Sequence, residues 1–143
     1  MSLERFVRAQ EGVYDRALAE LRRGRKESHW MWFVFPQIAG LGRSEAARHY
    51  AIADLAEARA YLQHPVLGPR LVEATEAVTA APGSAESILG PIDAIKLRSS
   101  MTLFEAADDP APFRAALDHL FGGERDPETI RRLLTPSPSR RAD

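Results

Sequence analysis

The stretch PIDAIKLRSSMTLFEAA, residues 91 to 107, has the spacing of one long helix with an unusual distribution of polar groups. At about 100° per residue, Ile92, Ile95, Leu97, Met101, Leu103 and Phe104 spread over more than half of the circumference and leave Ala94, Arg98 and Glu105 as the solvent side. Asp93, Lys96, Ser99 and Ser100 then fall inside the apolar arc. Burying such groups without partners costs on the order of several kcal/mol, so something must satisfy them. Two arrangements do so. In one, Asp93 and Lys96 form a buried pair and the hydroxyls bond neighbouring helix ends. In the other, the four residues wall a polar pocket, where Lys96 holds an anionic ligand group and Asp93 orients it or acts as a base.

Helical spacing continues on both sides of this stretch. Leu3, Phe6, Val7, Val13, Tyr14, Ala17, Leu18 and Leu21 predict a first helix capped by Ser2 and ended at Gly24. Residues 30–35, WMWFVF, are apolar throughout, and helical surroundings predict a short buried helix rather than a strand, closed by Pro36. The Gly-rich loop PQIAGLGR, 36–43, leads to Ser44, the expected N-cap of a helix through Ile52. Asp54 and Glu57 predict a capping box and a helix through Gln63, broken at His64-Pro65. Pro69 to Ala80 predicts an amphipathic helix with Leu71, Val72, Thr75 and Val78 inward, and Ser84 to Leu89 adds a turn or two. Ala111 to Phe121 and Asp126 to Leu134 complete the set, the last with Asp126 as N-cap and Pro127 at its first position. The expected fold is all-α: a compact bundle of about six to eight helices with at most a minor β element. Residues 1–135 are expected to form one domain, and 136–143, PSPSRRAD, a flexible tail.

A second set of candidate binding residues lies upstream, in Lys26, His29, Trp30, Trp32 and Gln37, with Ser28 beside them. Tryptophan offers a flat face to a nucleobase or cation together with one N–H donor, although aromatic runs serve equally as core. His29 has the intrinsic pKa for proton transfer near neutrality, while a lone histidine also serves as a hydrogen-bonded structural residue. GLGRS, 40–44, combines flexible glycines, Arg43 and the start of a helix at Ser44, so it can receive a phosphate or carboxylate or simply turn and cap the chain. RRGRK, 22–26, can touch phosphates or complement the C-terminal end of the first helix. His49, His64 and His119 show no metal-ligand spacing, and no metal or cofactor is expected. Neither a Gly-x-Ser-x-Gly elbow, a His-Glu-x-x-His pair nor a glycine-rich dinucleotide fingerprint is present.

Composition bounds the partners. The 143 residues are 45% hydrophobic and 27% charged, the proportions of an ordinary globular protein, and 19 Lys and Arg face 20 Asp and Glu for a net charge of -1. Such a balance supplies no long-range field for nucleic acid or an anionic membrane, so neither partner is expected. Zero cysteines exclude a disulfide framework, a thiolate nucleophile and Cys-ligated zinc, and agree with a reducing compartment. The longest apolar run, Trp30 to Phe35, is far short of the roughly 20 residues of a spanning helix. Charged residues near the N-terminus interrupt any secretory signal core, so a cytoplasmic location is expected.

Three blocks, GRKESHWMWFVFPQIAGLGRS at 24–44, EARAYLQHPVLGPRL at 57–71 and GPIDAIKLRSSMTLF at 90–104, resemble the signature stretches of the DUF1810 family. With the opening LERFVRAQ and the closing GGERDPETIRRLL, the resemblance covers almost the whole chain apart from its tail. It implies a mainly helical fold and carries no assigned activity. A fainter likeness in segment order to the NADAR-type N-glycosidases, helical enzymes of ribosylated and ADP-ribosylated substrates, implies a nucleotide-like ligand. No position here matches that group's catalytic acidic residue, and none is carried over. The resulting expectation is a pocket for a small anionic, nucleotide-like or ADP-ribose-like ligand, with hydrolysis as an extension. The alternative is a non-catalytic interaction module whose buried polar network is structural.

Overall fold

The computed structural model describes residues 2–134, so the expected tail at 136–143 lies outside the described residues. Ten helices follow one another: α1 (Glu4–Gln10), α2 (Tyr14–Arg22), α3 (Met31–Val34), α4 (Glu45–His49), α5 (Leu55–Gln63), α6 (Leu67–Ala80), α7 (Ala85–Leu89), α8 (Pro91–Glu105), α9 (Ala111–Phe121) and α10 (Pro127–Leu134). The count exceeds the expected six to eight, because three single-turn pieces stand as separate helices and the first predicted helix is two.

That first helix breaks at Gly12, whose φ of +71° lies in the left-handed region. Its apolar stripe passes from Val7 to Val13 with Gln10 between them, and Gln10 is 2% exposed. The Gln10 amide donates to the Phe33 carbonyl at 2.8 Å and the Tyr61 hydroxyl at 3.2 Å, and accepts from Arg70 at 3.2 Å. The turn carries α2 on in a new direction while this glutamine stays fully bonded.

The helix expected from Ser44 to Ile52 stops at His49, because Ile52 forms a parallel bridge with Ile38. The Ile52 N–H donates to the Gln37 carbonyl at 2.9 Å, and the Ala39 N–H donates to the Ile52 carbonyl at 2.8 Å. This bridge is the β element found among the described residues. It pins the 36–44 loop against the chain entering α5. The α6 helix starts two residues before Pro69, since His64 Nδ1 accepts the N–H groups of Val66 and Leu67 and caps it.

Around α8 pack α5, α7, α9 and α10. A chain of rings crosses the core, with Phe6 to Tyr61 at 5.1 Å, Tyr61 to Phe104 at 5.4 Å and Phe104 to Phe113 at 5.8 Å between centroids. It ties α1, α5, α8 and α9 together. Each buried phenylalanine contributes roughly 1.5–3 kcal/mol of transfer free energy. No helix of the described residues is long and apolar enough to cross a membrane.

Candidate functional site

The faces of α8 differ from those that hydropathy predicts. Ile92 and Ile95 are 71% and 59% exposed, whereas Ala94, expected on the solvent side, is buried. Arg98 and Glu105, expected beside it, are half-buried and paired. Arg98 reaches Asp126 at 3.8 Å and Glu124 at 4.0 Å, while Glu105 takes Arg114 at 3.2 Å and Arg125. Arg125 donates to both Glu105 oxygens, and these bonds hold the Glu105 carboxyl below the usual range. Neighbouring helices on most sides cover small and polar positions alike, so hydrophobicity no longer marks the inside.

The part of α8 left uncovered is one arc of its N-terminal half, where Ile92, Ile95 and Lys96 line a cleft of about 500 Å³ that the buried Ser99 also borders. The opposite wall comes from Trp32 of α3, from Gln37, Leu41, Gly42 and Arg43 of the loop, and from Ser44 and Ala47 at α4. Asp126 and Glu128 at the start of α10 close one end. Of the expected binding residues, Trp32, Gln37, Arg43, Ser44, Lys96 and Ser99 therefore meet in one place. The volume is within the roughly 300–1,000 Å³ of small-molecule sites.

Asp93 joins the two segments from behind this cleft. Lys26 Nζ lies 3.0 Å from Asp93 Oδ2, and Lys96 Nζ lies 3.5 Å from Oδ1. Each ammonium also sits over an indole, Lys26 at 5.3 Å from the Trp30 ring and Lys96 at 5.2 Å from the Trp32 ring. The expected Asp93–Lys96 pair is thus a three-residue bridge with a second lysine.

The two tryptophans have different surroundings. Trp30 is fully buried and its indole N–H donates to Glu20 Oε1 at 2.9 Å. Glu20, 2% exposed, also accepts from the Ser28 hydroxyl at 2.6 Å and from the N–H groups of Glu27 and Ser28 at 2.8 and 3.0 Å. Burial by itself would raise the Glu20 pKa, but the Ser28 hydroxyl, the two N–H groups and the indole outweigh it and hold it at about 2. Trp30 is core with a satisfied N–H, whereas Trp32 is half-buried and lines the cleft. Glu20 was not flagged by the sequence, since it stands off the apolar stripe of α2.

The remaining candidates separate in the same way. His29 is exposed and does not line the cleft. Ser100 is fully buried and does not line the cleft, and its hydroxyl has no hydrogen-bond partner among the described residues. Ser99 donates to the Ile95 carbonyl at 3.2 Å, and Ser44 Oγ accepts the Ala47 N–H at 3.1 Å, so α4 is closed by its own cap. The basic run is paired: Arg22 with Glu73, Arg23 and Arg25 with Glu27, and Lys26 with Asp93. Arg43 is exposed and forms no ion pair with any described residue. Asp126 caps α10 by accepting the Thr129 N–H at 2.9 Å, and Glu128 pairs with Arg131 at 2.5 Å and Arg132 at 3.2 Å. No group of three or more His, Cys, Asp or Glu among the described residues is arranged to hold a metal ion.

Comparison with known proteins places the chain without adding an activity. The crystal structure of the conserved hypothetical protein Rv1873 from Mycobacterium tuberculosis is similar to it with a TM-score of 0.91 and 52% sequence identity, covering 94% of this chain and 97% of that one. No curated protein matches it. The model of a family described as a protein of unknown function, DUF1810, matches residues 1–133, and the chain belongs to that family.

Proposed function

We propose that this protein binds a small anionic, nucleotide-like ligand, ADP-ribose-like compounds included, in the cleft between α3, the 36–44 loop and α8. The observation that carries the proposal is the meeting of a half-buried indole, Trp32, with two cations, Lys96 and Arg43, and an amide, Gln37, over an apolar floor of Ile92 and Ile95. A flat ring and a charged group are the two halves of a nucleotide, and this wall offers surfaces for both. Binding rather than hydrolysis is what the geometry supports. Both cleft carboxylates are engaged, Asp126 as a helix cap and Glu128 with two arginines, and Asp93 is held by two lysines. The cysteine-free sequence supports a reducing compartment, and a cytoplasmic location is part of the proposal.

A thermal-shift series with AMP, ADP and ADP-ribose at millimolar concentration tests it. A ligand present at one hundred times its Kd adds about 2.7 kcal/mol to the folded state, which raises Tm by roughly 5–10 °C for a chain of this size. The exposure of Ile92 and Ile95 supports a second reading, a non-catalytic docking face for a protein partner. A flat response to all three compounds would transfer support to that reading.

A further inference from the structure

Lys26 and Lys96 approach one carboxylate from its two oxygens, and the carboxylate can neutralise only one of them. Lys26 is the closer, at 3.0 Å against 3.5 Å, and its side chain is 10% exposed against 26% for Lys96. The more deeply desolvated cation gains most from a counter-charge, so Asp93 belongs energetically to Lys26. Charge-assisted N–H···O bonds form at about 2.7–2.9 Å, and the Lys96 contact is well outside that range. Lys96 lines the cleft, while Lys26 and Asp93 do not.

The two carboxylates that line the cleft are already paired. Asp126 faces Arg98, and Glu128 faces Arg131 and Arg132. Arg43, on the opposite wall, has no described counter-ion. Two positive charges are left among the residues that line the cleft, Lys96 with its ammonium steadied over Trp32 and Arg43 with no ion pair to any described residue.

Building on the cleft proposal above, we propose that Lys96 and Arg43 form a subsite for the dianionic phosphate of a phosphate monoester, and that Lys26 is a positioning residue that occupies Asp93 and so leaves Lys96 free to bind. A phosphate monoester carries about -1.5 to -2 charges at pH 7 and three strong acceptor oxygens, which match the donors of a guanidinium fork and an ammonium. Asp93 competes with the ligand for Lys96, and Lys26 weakens that competition.

Isothermal titration of the full chain with AMP, adenosine and inorganic phosphate tests the assignment, with a thermal melt of each variant to check folding. The wild type should bind AMP at least about tenfold more tightly than adenosine, one charge-assisted contact being worth about that factor, and more tightly than inorganic phosphate. Lys96→Met and Arg43→Gln should each remove most of the preference for AMP over adenosine. Asp93→Asn should tighten AMP binding severalfold, a gain that no purely structural role for Asp93 produces. Lys26→Met should weaken AMP binding from outside the cleft, and Lys26→Met with Asp93→Asn should restore it. Where Lys26→Met does not fold, Asp93→Asn and Arg43→Gln carry the test. Unchanged AMP preference in Lys96→Met, or weaker AMP binding in Asp93→Asn, would overturn the subsite while leaving the cleft proposal in place. Equal affinity for AMP and adenosine would do the same, and inorganic phosphate binding as tightly as AMP would replace the monoester by the free ion. If neither adenosine nor AMP binds the wild type, the monoester subsite falls, and the cleft proposal then stands or falls on ADP and ADP-ribose.

Discussion

Glu20 shows how a single residue controls local order without touching the cleft. Its carboxylate gathers the Ser28 hydroxyl, two backbone N–H groups and the Trp30 indole, and it thereby shapes the turn that delivers α3. Because its folded pKa of about 2 is below the ordinary 4.5, its stabilisation is fully present above pH 4.5 and is lost as pH falls towards 2. Glu20→Gln should therefore cost about 2–3 kcal/mol at pH 7. The gap between variant and wild type should close as urea melts are taken from pH 5 down to pH 2.5. A gap that stays constant over that range would show that the charge of Glu20 is not what stabilises the turn. Asp126 was legible as a cap from sequence because capping is local. Glu20 was not, because all four of its donors lie in the segment that follows the helix.

At the level of elements, the close approach of α5 and α6 depends on a residue with no side chain. A Cβ added at Gly68 would collide with the Leu62 carbonyl, a backbone atom that cannot rotate away. Gly68→Ala should therefore force α5 and α6 apart and cost about 3 kcal/mol, readable as a lowered denaturation midpoint with an unchanged m-value. An equal or higher midpoint would mean that the pair repacks freely. Most helix positions followed from caps and apolar spacing, as at Ser44, Asp54 and Asp126, where the side chain accepts the expected N–H in each case. The ends that missed did so for tertiary reasons: Ile52 left its helix to pair with Ile38, and Gln10 interrupted a stripe to meet Phe33 and Tyr61.

For the whole molecule, the ring chain from Phe6 to Phe113 and the four helices around α8 predict that the chain unfolds as one unit. Far-UV circular dichroism and tryptophan fluorescence should give coincident guanidinium transitions, with Trp30 reporting the α2–α3 region. Separate midpoints would show that this region melts independently of α8. By itself the sequence determined the helical class, most caps and the family, since those depend on neighbours a few residues apart. It also marked α8 as exceptional, because Asp93, Lys96, Ser99 and Ser100 interrupt an otherwise apolar arc. Only the tertiary structure decided what that meant. Hydropathy cannot distinguish an isoleucine lining a cleft from one in the core, so Ile92 and Ile95 exchanged places with Ala94. Nor can spacing within one helix reveal that Lys26, more than sixty residues upstream in sequence, takes the carboxylate that Lys96 appeared to need.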